Sequence, residues 1–197
     1  MEITPKILKK LTQKKYRREF SLCILLGEKI IADNTDKIVR VFDQNELPKE
    51  LLNEIVGLEN YSGQIAVAKI PAPTEPTMPF LVLDNIQDAG NMGAIFRSAA
   101  AFGFRTVYCI ACVDPSSPKV IRASSGMSLQ LNVIDCDYAE LPANGFLYVA
   151  DMNGKDLQTI KPAKPADNAA NTPDGNATAG RTADTTDGNA IAANRTA

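Results

Sequence analysis

The stretch Phe80 to Phe104, FLVLDNIQDAGNMGAIFRSAAAFGF, constrains the fold of this chain more than any other. Its first five residues, Phe80 to Asp84, form an apolar run ending on a carboxylate, the pattern of a buried strand in a parallel sheet. Turn formers follow from Asn85 to Gly90. A helical period then begins near Asn91, which the spacing predicts as the N-cap. Met92, Ile95, Phe96, Ala99, Ala100 and Gly103 recur at the intervals of one buried helix face, and Arg97 lies off that face. Strand, glycine loop and helix make the first half of a βαβ unit. In open α/β sheets, ligands collect at the carboxyl ends of such strands.

The rest of the chain arranges itself around this unit. Thr4 to Arg18 reads as one amphipathic helix, with Pro5 at its first position and an apolar stripe of Ile7, Leu8 and Leu11. Lys6, Lys9, Lys10, Lys14, Lys15, Arg17 and Arg18 give this segment seven positive charges, with Tyr16 set among them. A charge run of this kind is either a solvated helix face or a phosphate-binding surface. Strand patterns at 20–26, 37–42 and 63–70, with helical patterns at 27–33 and 47–58, predict a small α/β/α domain over residues 1–70. Four prolines between Pro71 and Pro79 mark an extended linker over 71–79.

Beyond the Phe80–Phe104 unit, strands are expected at 106–112, 129–134 and 146–150, with a helix from Lys119 to Gly126. Together these make an incomplete parallel-sheet domain over 80–160. Residues 161–197 repeat Asp-Gly-Asn-Ala and Arg-Thr-Ala, lack aromatic residues and are expected to be disordered.

Composition closes off several chemistries. The chain contains no histidine, which excludes Ser-His-Asp, Cys-His and histidine acid–base machinery. Cys109-Ile-Ala-Cys112 matches C-x-x-C, but no second pair accompanies it, so buried structural thiols are expected rather than a metal site. A net charge of −2 leaves any nucleic-acid surface to a local patch. No apolar run reaches bilayer length and the first ten residues lack a signal-peptide core, so a cytoplasmic protein is expected.

The series Asn85, Asp88, Gly90-Asn91, Gly93, Arg97, Ala99 and Phe102-Gly103 resembles motif 1 of the SpoU/TrmH family, the trefoil-knot (SPOUT) RNA ribose 2′-O-methyltransferases. Ala89 stands where that family usually has proline. Arg122-Ala123-Ser124-Ser125-Gly126 is similar to a second family step, and is equally the pattern of a glycine-capped helix end. The resemblance implies a SPOUT-type α/β fold and methyl transfer from S-adenosylmethionine to rRNA or tRNA. It implies that Arg97 meets the ribose and its phosphate, and that Asn91 holds the loop and orients Arg97. Asn85, Asp88, Gly90 and Gly93 would form that loop. Residues 1–70 would bind RNA through Lys14, Lys15, Tyr16 and Arg17, with Arg122 added from the second step. A homodimer is implied at full length.

The family's Gly-x-Glu-x-x-Gly loop and its Ser-Leu-Asn-Val-type segment, which hold the cofactor, are not found. Leu131-Asn132-Val133 copies three letters of the latter, but too early in the chain. The resemblance therefore covers residues 1 to about 160, cofactor-binding residues are unknown, and the chain alone is expected to bind S-adenosylmethionine weakly and transfer no methyl group. Two other readings stand beside it. One is an RNA-binding module without catalysis. The other is a nucleotide-binding α/β protein, for which Gly90-x-x-Gly93 lacks a third glycine.

Overall fold

The computed structural model describes residues 2–42, 46–57, 61, 63–142, 147–150 and 190–194. The basic N-terminal segment folds as two helices, α1 (Pro5–Lys10) and α2 (Lys14–Phe20), where the periodicity predicted one. The break has a specific cause. The Arg17 guanidinium donates 2.8 Å hydrogen bonds to the carbonyls of Leu11 and Thr12, groups that a continuous helix would have bonded internally.

Strands β1 (Leu22–Leu26), β2 (Ile38–Phe42) and β3 (Ile65–Lys69) form an antiparallel sheet in the order β1-β3-β2. Helices α3 (Glu28–Ala32) and α4 (Lys49–Val56) connect them. β1 is buried along its whole length, as a central layer must be. One face packs Leu22, Ile24, Leu26 and Val67 against Leu8, Leu11, Leu52 and Ile55. The other face packs Cys23, Leu25, Ala66 and Ala68 against Ile30 and Ile31, and also against Ile121 and Leu129 from beyond the linker. The two halves of the chain thus share a core.

The second sheet is built on β4 (Phe80–Asp84), β5 (Thr106–Ile110) and β6 (Asn132–Asp135), which run parallel, in the order β6-β5-β4. Helix α5 (Ala89–Ala101) follows β4, and α6 (Pro118–Ala123) follows β5. Leu81, Leu83, Val107 and Cys109 bury one face against Met92, Phe96 and Ala99 of α5. Phe80, Val82, Tyr108 and Ile110 fill the other, with Phe80 and Tyr108 edge to face at 5.0 Å between ring centroids. The mixed α/β class and the parallel sheet expected from the sequence are both present.

Beyond β4 the sheet turns antiparallel, with β8 (Ala190–Asn194) hydrogen-bonded between β4 and β7 (Leu147–Ala150). Disorder was expected over 161–197. Most of that span lies outside the described residues, but 190–194 is a strand. Without β8, β4 would present an open edge of unpaired backbone groups, and β8 satisfies them along the whole strand. The linker is fastened to the sheet as well: Thr74 and Asn132 exchange two 2.9 Å hydrogen bonds.

Candidate functional site

The loop between β4 and α5 lies at the carboxyl end of the parallel strands. Asn85, in the left-handed region at φ 52°, turns the chain out of β4, and its amide donates to the Ile110 carbonyl at 2.9 Å. Gln87 crosses to the next strand, its side-chain amide reaching Asn85 Oδ1 at 2.8 Å and the Ala111 carbonyl at 2.5 Å. Asp88 is the N-cap of α5, its carboxylate accepting the Asn91 amide at 2.7 Å. The cap expected at Asn91 thus falls three residues earlier, because the Asp88 carboxylate accepts the Asn91 amide, one of the free amides of the first turn.

Gly93 explains the packing behind this loop. A Cβ there would fall 2.4 Å from Ala123 Cβ and 2.6 Å from the Ala123 carbonyl carbon. α5 and α6 therefore touch backbone to backbone, at the Arg122–Gly126 step. That step is also a capped helix end. Ser117 begins α6 by accepting the Val120 amide, and Gly126 closes it at φ 83° with its amide on Ile121 O at 2.8 Å. Gly126 in turn lies under Asn34 of the first domain, where a Cβ would fall 2.7 Å from the amide nitrogen.

The basic helix α2 docks at this same end of the sheet. Arg17 Nη2 pairs with Asp114, four residues past β5, at 2.5 Å, and its Nε adds a bond to the same carboxylate at 3.0 Å. Arg18 and Lys14 both pair with Asp135, the last residue of β6. Burial alone would raise the Asp114 pKa, but hydrogen bonds from Arg17 and Ser116 outweigh it and hold the carboxyl below its ordinary range.

Residues 78–169 match the SpoU rRNA Methylase family model. Over that stretch the chain is similar to the SpoU methylase family. An uncharacterized tRNA/rRNA methyltransferase of Synechocystis is 40% identical over 87 residues, covering 42% of this chain and 32% of that one. The mitochondrial rRNA methyltransferase 3A of Danio rerio is 38% identical over 105 residues, covering 45% and 24%. The chain thus spans about a quarter to a third of the length of these relatives. In fold it is similar to the AdoMet-bound rRNA methyltransferase of Sinorhizobium meliloti, with a TM-score of 0.59 at 23% identity, covering 71% of this chain and 66% of that one.

Within the SpoU-like stretch the expected site residues take different places. Arg97 is exposed on α5 and makes no ion pair among the described residues. Asn91 is exposed too, but six residues of helix, about 9 Å of rise and well over a turn, separate it from Arg97. No hydrogen bond joins the two, so Asn91 does not orient Arg97 directly. Asn85 and Asp88 stand in the loop, Gly90 lies in the first turn of α5, and Gly93 makes the helix contact behind it. Arg122 is exposed on α6.

Of the residues expected to meet RNA, Arg17 is the departure. It is 3% exposed and fully engaged, so it is a structural residue. A cation at a helix face and a cation bridging two domains look alike in a linear sequence. The exposed set is Lys6, Lys9, Lys10, Lys14, Lys15 and Arg18, with Lys10 and Lys15 over the half-buried Tyr16 ring at 5.2 and 5.7 Å.

Two clefts stand out among the described residues. One, of about 430 Å³, runs between Arg17, Arg18, the Pro71–Pro73 linker and β6. The other lies by Lys37, Thr74 and Arg105. Neither is lined by Asn85 to Gly93.

Proposed function

We propose that this chain carries the RNA-facing part of a ribose 2′-O-methyltransferase that takes its methyl group from S-adenosylmethionine and acts on rRNA or tRNA. One observation carries this reading. The basic helix α2 is anchored through Asp114 and Asp135 to the carboxyl end of the same parallel strands whose loop starts the Arg97 helix. A polyanion held along Lys6, Lys10 and Lys15 thereby lies against the sheet end where the motif loop stands.

S-adenosylmethionine, when bound, supplies an electrophilic methyl on sulfur. The roles proposed here are those of this chain's own residues. Arg97 clamps the phosphate beside the target ribose, because guanidinium pairs with phosphate and stays protonated. An arginine that stays protonated is no base, and the chain has no histidine. The ribose hydroxyl then loses its proton to the neighbouring phosphate, with positioning carrying most of the rate. The Asp88 cap and the Gly93 contact keep α5 rigid, and Tyr16 stacks on a base or ribose of the bound strand.

A homodimer and a cytoplasmic setting belong to the same proposal. Among the described residues no helix is long and apolar enough to cross a membrane.

The test uses a protein in which this chain is joined to the two cofactor motifs. It should transfer labelled methyl groups to ribose oxygens. Arg97→Ala should lower transfer by at least about 100-fold while leaving RNA affinity within about threefold, the signature of lost positioning. Transfer undiminished by Arg97→Ala overturns the clamp. RNA binding without transfer in the joined protein leaves the non-catalytic RNA-binding reading. Calorimetry of the 197-residue chain with S-adenosylmethionine should show weak binding or none, and a micromolar Kd would reveal a holder built from other residues.

A further inference from the structure

Four cysteines are free thiols, and three apolar clusters separate them. Cys109 lies inside the cluster between the second sheet and α5, and Cys112 packs against that same cluster. Cys136 packs on the opposite face of the sheet, with Phe80 and Tyr108. Cys23 belongs to the core shared by the two domains. Of the four, only Cys109 and Cys112 belong to the same cluster.

The turn between them has a definite shape. Ala111 sits at φ 49°, in the left-handed region, which folds the chain back after β5 and brings residue 112 over residue 109. The two thiols lie close enough to perturb each other's titration. Cys112 Sγ accepts the Ile86 amide at 3.4 Å, and its thiol donates to the carbonyls of Leu83 and Ile110 at 3.4 Å. On its other side Ile86 is held by the Val113 amide on its carbonyl at 2.8 Å. Ile86 is buried and lies within the Asn85–Asp88 loop, one residue past the turn at Asn85. Cys112 is therefore a fastening of the motif loop as well as half of a thiol pair.

We infer that Cys109 and Cys112 form a redox-active dithiol whose oxidation by a small-molecule disulfide of the glutathione class releases Ile86 and loosens the motif loop. The thiolate of Cys112, which is half-buried where Cys109 is sealed, attacks one sulfur of the small disulfide. A mixed disulfide forms and one small thiolate leaves. Cys109 sulfur then attacks Cys112 sulfur, and its proton leaves with the second small thiol. The two protein thiols lose two hydrogens and two electrons, and the small disulfide gains them as two thiols. The neighbouring Cys109 thiol, followed by the Ile86 amide, lowers the Cys112 pKa to about 7, which supplies the attacking thiolate near neutral pH. The neighbouring Cys112 and burial keep Cys109 protonated. Drawing Cys112 sulfur into a bond with Cys109 takes it away from the Ile86 amide.

The dithiol chemistry is independent of methyl transfer, and so is its test. The full chain is equilibrated in reduced and oxidised glutathione mixtures, quenched with acid and mapped by mass spectrometry. Oxidation should join the peptides of Cys109 and Cys112 with a loss of about 2 Da, while Cys23 and Cys136 stay free. Hydrogen exchange of the Ile86 amide should then quicken roughly threefold, as expected when one hydrogen bond is lost.

The variant Cys136→Ser should oxidise as the parent does, and Cys112→Ala should leave Cys109 unmodified. Linkage of Cys109 to Cys136, or four free thiols in fully oxidised buffer, would overturn the dithiol. An oxidised chain with unchanged exchange at Ile86 would overturn the release of the loop. Should Cys112→Ala fail to fold, the peptide map of the unaltered chain decides the pairing by itself.

Discussion

Arg17 and Asp114 lie 97 residues apart in the chain and meet at 2.5 Å, with side chains only 4% and 10% exposed. This pair and the Ile121–Leu129 contact with the first sheet fasten the two domains together. Removing one partner of such a buried pair leaves the other charge unpaired. Arg17→Ala should therefore destabilise the chain by about 3–5 kcal/mol. It also strips the hydrogen bonds from the Leu11 and Thr12 carbonyls. Denaturant midpoints with an unchanged slope would measure it. Arg17→Lys, which keeps the charge but not the fork, should fall between.

The same pair sets an acid limit. The Asp114 carboxyl is held below its ordinary value, so its contribution is present above the unfolded-state pKa of about 4. It is lost as pH falls through the lower folded-state value. Stability should drop more steeply below about pH 4 in the parent than in Asp114→Asn, which has no proton to take up there. Equal slopes for the two in urea titrations between pH 5 and 2.5 would contradict this.

Gly93→Ala tests the α5–α6 contact. In an exposed helix that change stabilises by about 1 kcal/mol. Here the new methyl meets Ala123 at 2.4 Å, so the sign should reverse to a loss of about 1–3 kcal/mol. Adding Ala123→Gly should recover part of it, since the two sites are in contact and couple. A more stable Gly93→Ala protein would show that the helices do not approach so closely.

Salt dependence of RNA binding tests the basic face. Replacing Lys10 and Lys15 together with Ala should weaken binding and reduce the slope of log affinity against log salt by about 1.5–2. Asp135→Asn should act the other way, since it frees Lys14 and Arg18 from their shared carboxylate. Identical slopes for parent and both variants would rule out this face.

Alkylation should single out one thiol. With a pKa near 7, Cys112 should react with iodoacetamide at a rate that rises through neutral pH. Burial pushes Cys23 to about 12. Burial together with Glu140 and Asp135 pushes Cys136 to about 11. Both should lag Cys112 at pH 8. Preferential labelling of Cys136 would reverse the assignment.

The sequence alone determined what depends on neighbours in the chain. The apolar run Phe80–Asp84 and the stripe Met92, Phe96, Ala99 appear where periodicity placed them, because a strand and a helix each bury one face set by local spacing. Motif order was likewise enough to reach the SpoU family. Tertiary structure decided the rest. Seven cations in 18 residues look equivalent in sequence, yet Asp114 makes Arg17 a buried bridge and breaks the helix expected there. Gly93 reads as helix-weakening until Ala123 is found against it. The Cys112 thiol looks inert until a left-handed turn sets it beside Cys109 and Ile86. In each case the partner lies far along the chain or across a turn that sequence does not show, and it is the partner's charge, volume or hydrogen bond that fixes the residue's role.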